Sequence, residues 1–445
     1  MPDLESEVDA LVLRYLMERG CEKSAQVFLE EAGIKQDSDN QKGELVSLIT
    51  KGVNSMKSTG EDFITIQIAL HKIKCEQKAS NQTHPIVRKI AYQPELLVQS
   101  SKDAMSVTVR LNAGNPGKTH VLFCPNDWLL LTGSRYGSVE LWDMSSNSTR
   151  LVKQMDHENE ITSIDWSPNG LRFATGCSNG LTRVYSKDGL LQSQAKIVDS
   201  GINSVRWNGN ADYFGVSFKD GRFVIFNNDG TIKHHFFEHQ KEAKQVGWLD
   251  NNTAVTIGAD GMLIVYKIGN LRPISAIQAF ESPINCMSIN IETSVIATGT
   301  DYNCIKLWNL AKMHPLERVD EYRKQVKMIR WKPFETNLFV CSFYDDRSLM
   351  AYDNEREATK SLNGHSNTIT CFEFSRDGKL MASGSKDGTV IIWSGDESSS
   401  IPLKRIGRAG GPKITALSWS SDGNMIAASN RNGTIISFDV QNMRY

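Results

Sequence analysis

A pattern of about forty residues recurs eight times in the last three quarters of the chain. Each copy ends in an aromatic residue that follows a short β-prone run. These residues lie 40 to 45 positions apart and are Trp142, Tyr185, Phe226, Tyr266, Trp308, Tyr352, Trp393 and Phe438. A fixed period of this length is typical of architectures in which each copy forms one supersecondary unit. Any fold of this chain must therefore place eight equivalent units.

Within each unit, polar and apolar residues follow one order. An alternating stretch such as Ile161 to Trp166 precedes a polar turn and a second β-prone run such as Leu380 to Gly384. A tight turn then leads to a third run that ends at the aromatic residue. Five residues before that aromatic, six units have glycine: Gly137, Gly180, Gly221, Gly261, Gly388 and Gly433. Because two-residue hairpins need positive φ, this order predicts antiparallel strands joined by tight turns.

The polar positions of the repeat resemble the WD-repeat family. One unit carries the family's Gly-His pair at Gly364-His365 and its closing tryptophan at Trp393. The resemblance implies a β-propeller with four strands per blade. It also implies a buried hydrogen-bond network in this unit, formed by His365, Ser383, Asp387 and Trp393. Two other units have a histidine at the matching place, His157 and His239, with weaker partners.

The eight terminal aromatic residues predict eight blades. A propeller closes by pairing its ends, and the eighth unit has no outer strand of its own. The alternating segment Val107 to Leu111 is expected to supply that strand from the N-terminal side. We therefore predict a mainly β fold, with an eight-bladed WD-repeat propeller over residues 104–445.

Residues 1–56 have helical periodicity instead. Apolar residues recur at i, i+3, i+4, i+7 and i+8 from Val8, and Gly20 follows the first helix. Two or three short helices are too few to form a core alone, so their apolar stripe needs a partner. The residues predicted to mediate oligomerisation are Val8, Leu11, Val12, Tyr15, Leu16, Ala25 and Phe28. Packing of this stripe against the propeller is the alternative.

This first segment resembles the LisH dimerisation motif at Leu11, Tyr15-Leu16, Gly20, Ser24-Ala25, Phe28 and Glu31. Cys21 stands where that family usually has an aromatic residue. The next helix resembles the F-box-like segment of transducin β-like proteins. The resemblance implies a small all-α LisH-type oligomerisation domain, a homodimer or homotetramer, and a groove that binds co-repressor segments. The predicted groove residues are Leu45, Leu48, Ile49 and Val53. Residues 57–103 are polar and read as a linker with one amphipathic helix between Asp62 and Lys78.

Composition argues against several functions. Lys and Arg number 50 and Asp and Glu 51, for a net charge of −1, which disfavours phosphate-backbone binding and predicts no direct sequence-specific nucleic acid binding. No run approaches 18 apolar residues, so no membrane span is predicted. The eight cysteines lack CxxC spacing and the nine histidines lack HxxxH spacing. We predict no catalytic, cofactor-binding or metal-binding residues and no enzyme activity. A strongly perturbed carboxylate or histidine lining the propeller channel would point instead to catalysis.

Function is then expected on the surface. In the WD-repeat family, the residue seven positions before each terminal aromatic lies on the narrow top face. The charged residues at this position are Arg135, Lys219, Asp301, Asp345, Lys386 and Arg431. Units seven, eight and one would form a basic arc opposite an acidic edge from units five and six. We predict that a peptide or protein ligand spans both, steered by charge; ordinary solvation of these side chains is the alternative.

The whole arrangement resembles transducin β-like proteins, which are subunits of nuclear co-repressor complexes containing a class I histone deacetylase. The resemblance implies a non-catalytic scaffold located in the nucleus, or shared between nucleus and cytoplasm. Its expected partners are co-repressor segments, deacetylase complex subunits and histone tails. An alternative with the same architecture is a substrate receptor of a ubiquitin ligase or an adaptor for cytoskeletal motors.

Overall fold

The computed structural model describes residues 96–100, 107–112, 118–145, 149–301, 304–309, 314–319, 324–356, 358–395, 401–407 and 409–440. The predicted oligomerisation residues and the groove residues lie outside these ranges, as do the Gly20 helix end and the amphipathic helix predicted between Asp62 and Lys78. Every regular element in the described part is a β-strand.

The first seventeen strands cover the N-terminal half of the described residues. They are β1 (Leu96–Ser100), β2 (Val107–Asn112), β3 (Lys118–Phe123), β4 (Leu129–Ser134), β5 (Ser138–Asp143), β6 (Arg150–Asp156), β7 (Ile161–Trp166), β8 (Arg172–Cys177), β9 (Leu181–Ser186), β10 (Leu191–Lys196), β11 (Ile202–Trp207), β12 (Tyr213–Phe218), β13 (Phe223–Asn227), β14 (Ile232–Phe236), β15 (Ala243–Trp248), β16 (Thr253–Gly258) and β17 (Met262–Lys267).

Sixteen further strands follow. They are β18 (Ser275–Gln278), β19 (Ile284–Asn290), β20 (Val295–Thr300), β21 (Ile305–Asn309), β22 (His314–Val319), β23 (Val326–Trp331), β24 (Leu338–Phe343), β25 (Ser348–Asp353), β26 (Ala358–Asn363), β27 (Ile369–Phe374), β28 (Leu380–Ser385), β29 (Val390–Ser394), β30 (Pro402–Ile406), β31 (Ile414–Trp419), β32 (Met425–Asn430) and β33 (Thr434–Asp439).

The strands form eight antiparallel sheets, the blades of a propeller. Blades 1 to 7 take four consecutive strands each, from β3–β6 through β27–β30. Blade 8 has five strands in the order β1-β2-β33-β32-β31. The third strand of each blade carries the predicted terminal aromatic residue. The eight-bladed β-propeller predicted from the repeat is therefore confirmed.

The ring is closed by contacts between neighbouring blades and by strand pairing within blade 8. The first strand of each blade contacts the first strand of the next, and β31 of blade 8 contacts β3 of blade 1. Within blade 8, β2 pairs with β33 in a register that sets Val109 opposite Ser437 and Leu111 opposite Ile435. The predicted closing strand at Val107 to Leu111 is confirmed, because it fills the outer position that β31–β33 leave open.

The segment expected as a linker contains a strand that the sequence reading did not predict. β1 lies within residues 57–103 and pairs with the outer edge of β2, with Val98 opposite Val109. The run Leu96-Leu97-Val98 is β-prone, and pairing satisfies edge groups on β2 that would otherwise lack partners. This part of the predicted linker is thus an edge strand of blade 8.

The core lies between the blades. Second strands such as β4, β16, β24 and β28 are buried along almost their whole length, whereas outer strands such as β6 and β10 are mostly exposed. The burial clusters join residues of neighbouring blades, as β16 and β17 of blade 4 do with β19 and β20 of blade 5. A blade therefore depends on its neighbours to bury its faces.

The hairpin glycines adopt the predicted backbone conformation. The six glycines five residues before the terminal aromatics have φ between +77° and +92°. At Gly137, a Cβ atom would stand 2.1 Å from the His157 carbonyl oxygen. The turn backbone therefore lies directly against the loop that enters the next blade.

Candidate protein-binding face

The innermost strands are joined around the ring by side chains at their second residue. The side chain there donates to the first carbonyl of the next innermost strand in four places. These bonds are Asn203 Nδ2 to Ala243 O at 3.0 Å, Asn285 Nδ2 to Val326 O at 3.5 Å, Lys327 Nζ to Ile369 O at 2.9 Å and Thr370 Oγ1 to Ile414 O at 2.7 Å. The first strand of a blade has one edge without a strand partner, so these donors satisfy carbonyls that the sheet leaves open.

A second ring of contacts comes from tryptophans at the sixth residue of the innermost strands. In four of these five tryptophans the indole Nε1 donates to a backbone carbonyl of the preceding blade, whereas Trp207 Nε1 is buried without a partner among the described residues. These bonds are Trp166 to Leu122 O at 3.2 Å, Trp248 to Arg206 O at 3.0 Å, Trp331 to Ser288 O at 3.1 Å and Trp419 to Glu373 O at 3.0 Å. Sequence reasoning missed this role, although tryptophan ends the first strand of five of the eight units, which was a usable signal.

Charged residues occupy the fifth position of four innermost strands: Asp165, Arg206, Arg330 and Glu373. Burial raises the pKa of Asp165 to about 6 and also raises the pKa of Glu373. Burial lowers the pKa of His120 on β3 to about 4. Groups with pKa values perturbed in this way would indicate catalysis if they lined the propeller channel and were free to contact a substrate.

The contacts of Asp165 account for its place in the fold. Its Oδ2 accepts a 2.8 Å hydrogen bond from the backbone N–H of Trp207, and Arg206 Nη1 lies 3.5 Å from its Oδ1. Ser288 and Ser418 accept the equivalent backbone N–H from Trp331 and Phe123. The carboxylate therefore does for one blade what a serine hydroxyl does for others.

The structure brings the four predicted network residues of blade 7 together. Trp393 Nε1 donates to Ser383 Oγ at 2.8 Å, and His365 Nε2 lies 2.8 Å from the same oxygen. Asp387 Oδ1 accepts from the Thr389 backbone N–H and hydroxyl at 2.9 and 2.6 Å. Its Oδ2 lies 3.4 Å from His365 Nδ1.

These contacts fix the protonation of His365. Because Ser383 Oγ accepts from the indole, its own proton is available for His365 Nε2, which leaves the histidine proton on Nδ1, towards Thr389 and Asp387. Burial lowers the pKa of His365, so the imidazole is neutral near pH 7. The pKa of Asp387 is also held below its usual range, chiefly by hydrogen bonds from Thr389 that outweigh its burial.

The two other histidines differ from each other: His239 has a partner at both ring nitrogens, contrary to the weaker pairing expected for it, whereas His157 has one at a single nitrogen. His239 contacts Asp260 at 3.0 Å and Thr256 Oγ1 at 2.7 Å. His157 Nε2 lies near Thr175 Oγ1 and the Tyr185 hydroxyl, but among the described residues its Nδ1 has no hydrogen-bond partner. Burial and the nearby Arg183 charge lower the pKa of His157 to about 4.

The turns between second and third strands lie together with the loops that enter the next blade. Backbone N–H groups in several of these turns also donate to carbonyls in the loop that enters their own blade, for example Lys219 to Gly201, Lys386 to Thr368 and Arg431 to Lys413, at 2.8 to 2.9 Å. We call the surface formed by these turns and loops the turn face. Arg135, Lys219, Lys386 and Arg431 are exposed on it. Asp301 is half-buried, and Asn285 Nδ2 donates to its Oδ1.

One predicted position on the turn face needs correction. In blade 6, Tyr344 takes the place that Lys386 has in blade 7, because its N–H donates to Gln325 O at 2.9 Å in the same way. Asp345 is one residue further along, exposed, with φ of +55°. The turn of blade 6 has one extra residue, so counting seven positions back from Tyr352 selects the wrong residue. Arg347, one of two residues that replace the hairpin glycine, lies in this longer turn.

The predicted basic and acidic regions meet rather than stand opposite each other. Lys386 Nζ lies 3.5 Å from Asp345 Oδ1, which joins blade 7 to blade 6 across exposed surface. Arg135 is near Glu160 at 3.4 Å. Lys324 pairs with Asp346 at 2.7 Å. The face therefore has local charge pairs, with a basic excess on blades 7 and 8.

Metal binding and membrane insertion are two other functions on which the described residues bear. No group of three or more His, Cys, Asp or Glu side chains in this part of the chain is placed to hold a metal ion. Within the same ranges, no helix has the length and apolar character needed to cross a membrane. The six cysteines among these residues are buried.

Comparison with known proteins points to the same repeat. The model of the WD domain, G-beta repeat, matches residues 149–186, 271–309, 356–394 and 402–439. Each match ends one residue after a terminal aromatic residue. Each starts at, or shortly before, the outer strand of the preceding blade. The sequence repeat is thus offset by one strand from the structural blade, which explains why blade 8 takes its outer strand from β2.

Curated relatives are similar over part of their length. The chain is 27% identical over 187 residues to the F-box-like/WD repeat-containing protein TBL1X of Homo sapiens, which covers 38% of this chain and 32% of that protein. It is 26% identical over 259 residues to the APC/C activator protein CDH1 of Saccharomyces cerevisiae, covering 56% of this chain and 45% of that one. The chain thus spans less than half the length of these two relatives.

A solved structure agrees with the fold. The C-terminal WD40 domain of Sif2 superposes with a TM-score of 0.65 at 18% identity, over 73% of this chain and 96% of that one. At this identity the likeness concerns the fold alone. Together, these findings show that the chain folds as an eight-bladed β-propeller, that four of its repeats match the WD domain, G-beta repeat, and that part of it is similar to TBL1X.

Proposed function

We propose that this protein is a non-catalytic scaffold subunit of a nuclear histone deacetylase co-repressor complex and acts in transcriptional repression. The observation that carries the proposal is the turn face, where exposed charged side chains stand on a ring of blades fixed by inter-blade hydrogen bonds. A rigid face of this kind favours binding because its side chains are ordered before a partner arrives. The similarity to TBL1X supports the choice of complex.

The perturbed groups of the innermost strands support a structural role. Asp165 is occupied by the Trp207 N–H and by Arg206. A general base needs a free position within hydrogen-bond reach of a substrate proton. We therefore assign the Asp165 charge to closure of the ring, and we propose no reaction for it.

The N-terminal module completes the proposal. Its helices would assemble two or four copies through Leu11, Tyr15 and Phe28. The following helix would hold co-repressor segments through Leu45 and Leu48. Several propellers on one oligomer would bind repetitive targets such as histone tails with higher apparent affinity than one propeller.

A second function keeps the architecture and changes the partners. The similarity to APC/C activator protein CDH1 covers a larger share of this chain than the similarity to TBL1X. This favours retaining a substrate receptor of a ubiquitin ligase as the alternative, alongside an adaptor for cytoskeletal motors.

Affinity purification of the tagged full chain, followed by mass spectrometry, tests the two functions. We expect deacetylase and co-repressor subunits among the partners. Recovery of ligase or motor subunits without them would contradict the first function. Charge reversal of Arg135, Lys386 and Arg431 in one variant should remove the propeller-dependent partners; unchanged recovery of every partner would show that the turn face is not the binding surface.

Light scattering of the full chain tests the assembly. The chain has a mass of 49.7 kDa, so a dimer or tetramer is readily distinguished from a monomer. We expect an oligomer that the double substitution Leu11→Asp and Phe28→Asp converts to a monomer. A monomeric unsubstituted chain at micromolar concentration would contradict the assigned role of the N-terminal helices.

A further inference from the structure

Four cationic side chains lie together at one part of the turn face, on blades 6, 7 and 8. Lys327 Nζ donates to the carbonyl of Ile369 at 2.9 Å. The neighbouring residue, Thr368, accepts the backbone N–H of Lys386 at 2.8 Å. Lys413, in the loop entering blade 8, accepts the N–H of Arg431 at 2.9 Å. We call Lys327, Lys386, Lys413 and Arg431 the cationic cluster.

Lys327 stands where blades 3 and 5 use neutral amide donors and where blade 4 has Lys244, which donates to Asn285 Oδ1 rather than to a strand carbonyl. Its position in β23 matches Asn203 in β11 and Asn285 in β19, which make the same kind of bond to the next blade. An amide is therefore sufficient for ring closure. Lysine adds a positive charge that is half-buried, and the nearby charges of Lys413 and Lys386 further lower its pKa beyond the effect of burial. Keeping a charge there has an electrostatic cost that ring closure does not explain.

Few carboxylates balance the cluster. Asp345, with its side chain 89% exposed, lies 3.5 Å from Lys386. Asp346 is paired with Lys324, and Asp387 is buried and accepts hydrogen bonds from Ser366 and Thr389. Of these described carboxylates only Asp345 is both exposed and beside the cluster, where it contacts Lys386, which leaves a positive region in a protein whose total charge is −1.

We propose that the cationic cluster is a binding subsite for an acidic segment of a partner protein. The inference rests on the proposed function, since it assigns a ligand chemistry to the turn face. Aspartate and glutamate side chains would accept charge-assisted hydrogen bonds from Lys386, Lys413 and Arg431, and Lys327 would contribute its field from below. Nucleic acid fits less well, because phosphate-backbone binding relies on an extended basic stripe rather than one small cluster.

Fluorescence anisotropy with the full chain tests this subsite. The probe is a labelled heptapeptide, Gly-Glu-Glu-Gly-Glu-Glu-Gly, and the control peptide has glutamine for each glutamate. We expect the acidic peptide to bind at low salt, with affinity that falls as salt rises, and the glutamine peptide not to bind. Equal binding of the two peptides would overturn the proposal, as would no binding of the acidic peptide at low salt.

A set of substitutions locates the site. The combination Lys327→Asn, Lys386→Gln and Arg431→Gln should weaken acidic-peptide binding about tenfold. Lys327→Asn keeps the donor type found at Asn203 and Asn285. The matched control is Lys379→Gln, an exposed lysine at the other end of β28, which should leave the affinity unchanged. An equal loss in the control would mean that net charge alone is being measured and would overturn the site.

Two further results separate this proposal from others. A DNA duplex that binds more tightly than the peptide and is weakened by the same substitutions would overturn the peptide assignment in favour of nucleic acid. Failure of the proposed function would look different: the acidic peptide would bind as expected while affinity purification recovers no co-repressor or deacetylase subunits. Thermal unfolding of each variant shows whether it is folded, and the single Lys386→Gln variant replaces the triple one if that fails to fold.

Discussion

The indole N–H of Trp393 and the hydroxyl of Ser383 are joined by a 2.8 Å hydrogen bond inside blade 7. The same hydroxyl faces His365 Nε2, so one oxygen serves two buried partners. Ser342 in blade 6 also stands ten residues before its terminal aromatic, but the extra turn residue of that blade puts Cys341, not Ser342, at the strand position of Ser383. The Ser342 hydroxyl is buried without a hydrogen-bond partner among the described residues. The two serines therefore contrast a hydrogen-bonded buried hydroxyl with an unpaired one.

Ser383→Ala should lower the free energy of unfolding by about 2–4 kcal/mol, because it leaves both Trp393 Nε1 and His365 Nε2 buried and unpaired. Ser342→Ala should change it by less than about 1 kcal/mol or stabilise the protein, since it removes an unpaired polar group. Urea unfolding of the two variants measures both. Equal destabilisation would mean that the network contributes nothing beyond side-chain packing.

Gly137→Ala should destabilise the protein by more than about 2 kcal/mol. It adds both a strained positive φ and a clash with the His157 carbonyl. Gly269 has φ of +93° and open space around its Cβ direction, so Gly269→Ala isolates the cost of the backbone conformation, about 1 kcal/mol. Thermal unfolding compares them, and a Gly269 variant as unstable as the Gly137 variant would contradict the clash.

Acid should destabilise the protein through His157. The folded pKa, about 4, is below the ordinary value of 6.5, so the unfolded state binds more protons between these values. Stability is fully present above pH 6.5 and falls as the pH decreases towards 4. His157→Gln should reduce the slope of unfolding free energy against pH in this window by up to about 1.4 kcal/mol per pH unit. His120 and His365 titrate in the same direction, and Asp165 in the opposite one, so the difference between variant and unsubstituted chain is the quantity to measure. Parallel curves would contradict the assigned pKa.

Proline at Val109 should open the ring. Val109 lies in β2, which has a strand on each side, and proline removes a ladder hydrogen bond and is poorly tolerated in a central strand. Val98→Pro, in the edge strand β1, is the matched control and should have a smaller effect. Limited proteolysis and thermal unfolding measure the difference. If Val109→Pro were as stable as Val98→Pro, pairing of β2 with β33 would not be what closes the propeller.

Much of the fold was readable because the repeat is periodic. The terminal aromatic residues located the third strand of each blade, and the alternation at Val107 to Leu111 located the closing strand. The sequence predicted residue positions on the turn face less accurately. Counting from Tyr352 failed because a single inserted residue in a turn shifts position without changing the pattern on either side.

The cationic cluster shows what the sequence pattern does not contain. Lys327 and Lys413 are far apart in the chain. Neither is at the position of the repeat that Lys386 occupies, so comparing equivalent positions of the units does not group the three. They come together through one hydrogen bond across a blade boundary, from Lys327 to Ile369, and through backbone bonds between turns and entry loops within blades 7 and 8. Likewise β1 has no counterpart in other units, so periodicity gave no reason to expect it.

The pairing of β2 with β33 also constrains how the protein is made. Nearly all of the propeller lies between these two strands in sequence, so β2 leaves the ribosome long before its partner on that side exists. Until β33 has been synthesised, β2 in the nascent chain has no partner on that side and one strand position in blade 8 stays empty. Such contacts between distant segments form slowly and leave edges open to wrong pairing. The hairpin of β1 with β2 covers one edge of β2 early, which would protect β2 from wrong pairing during translation.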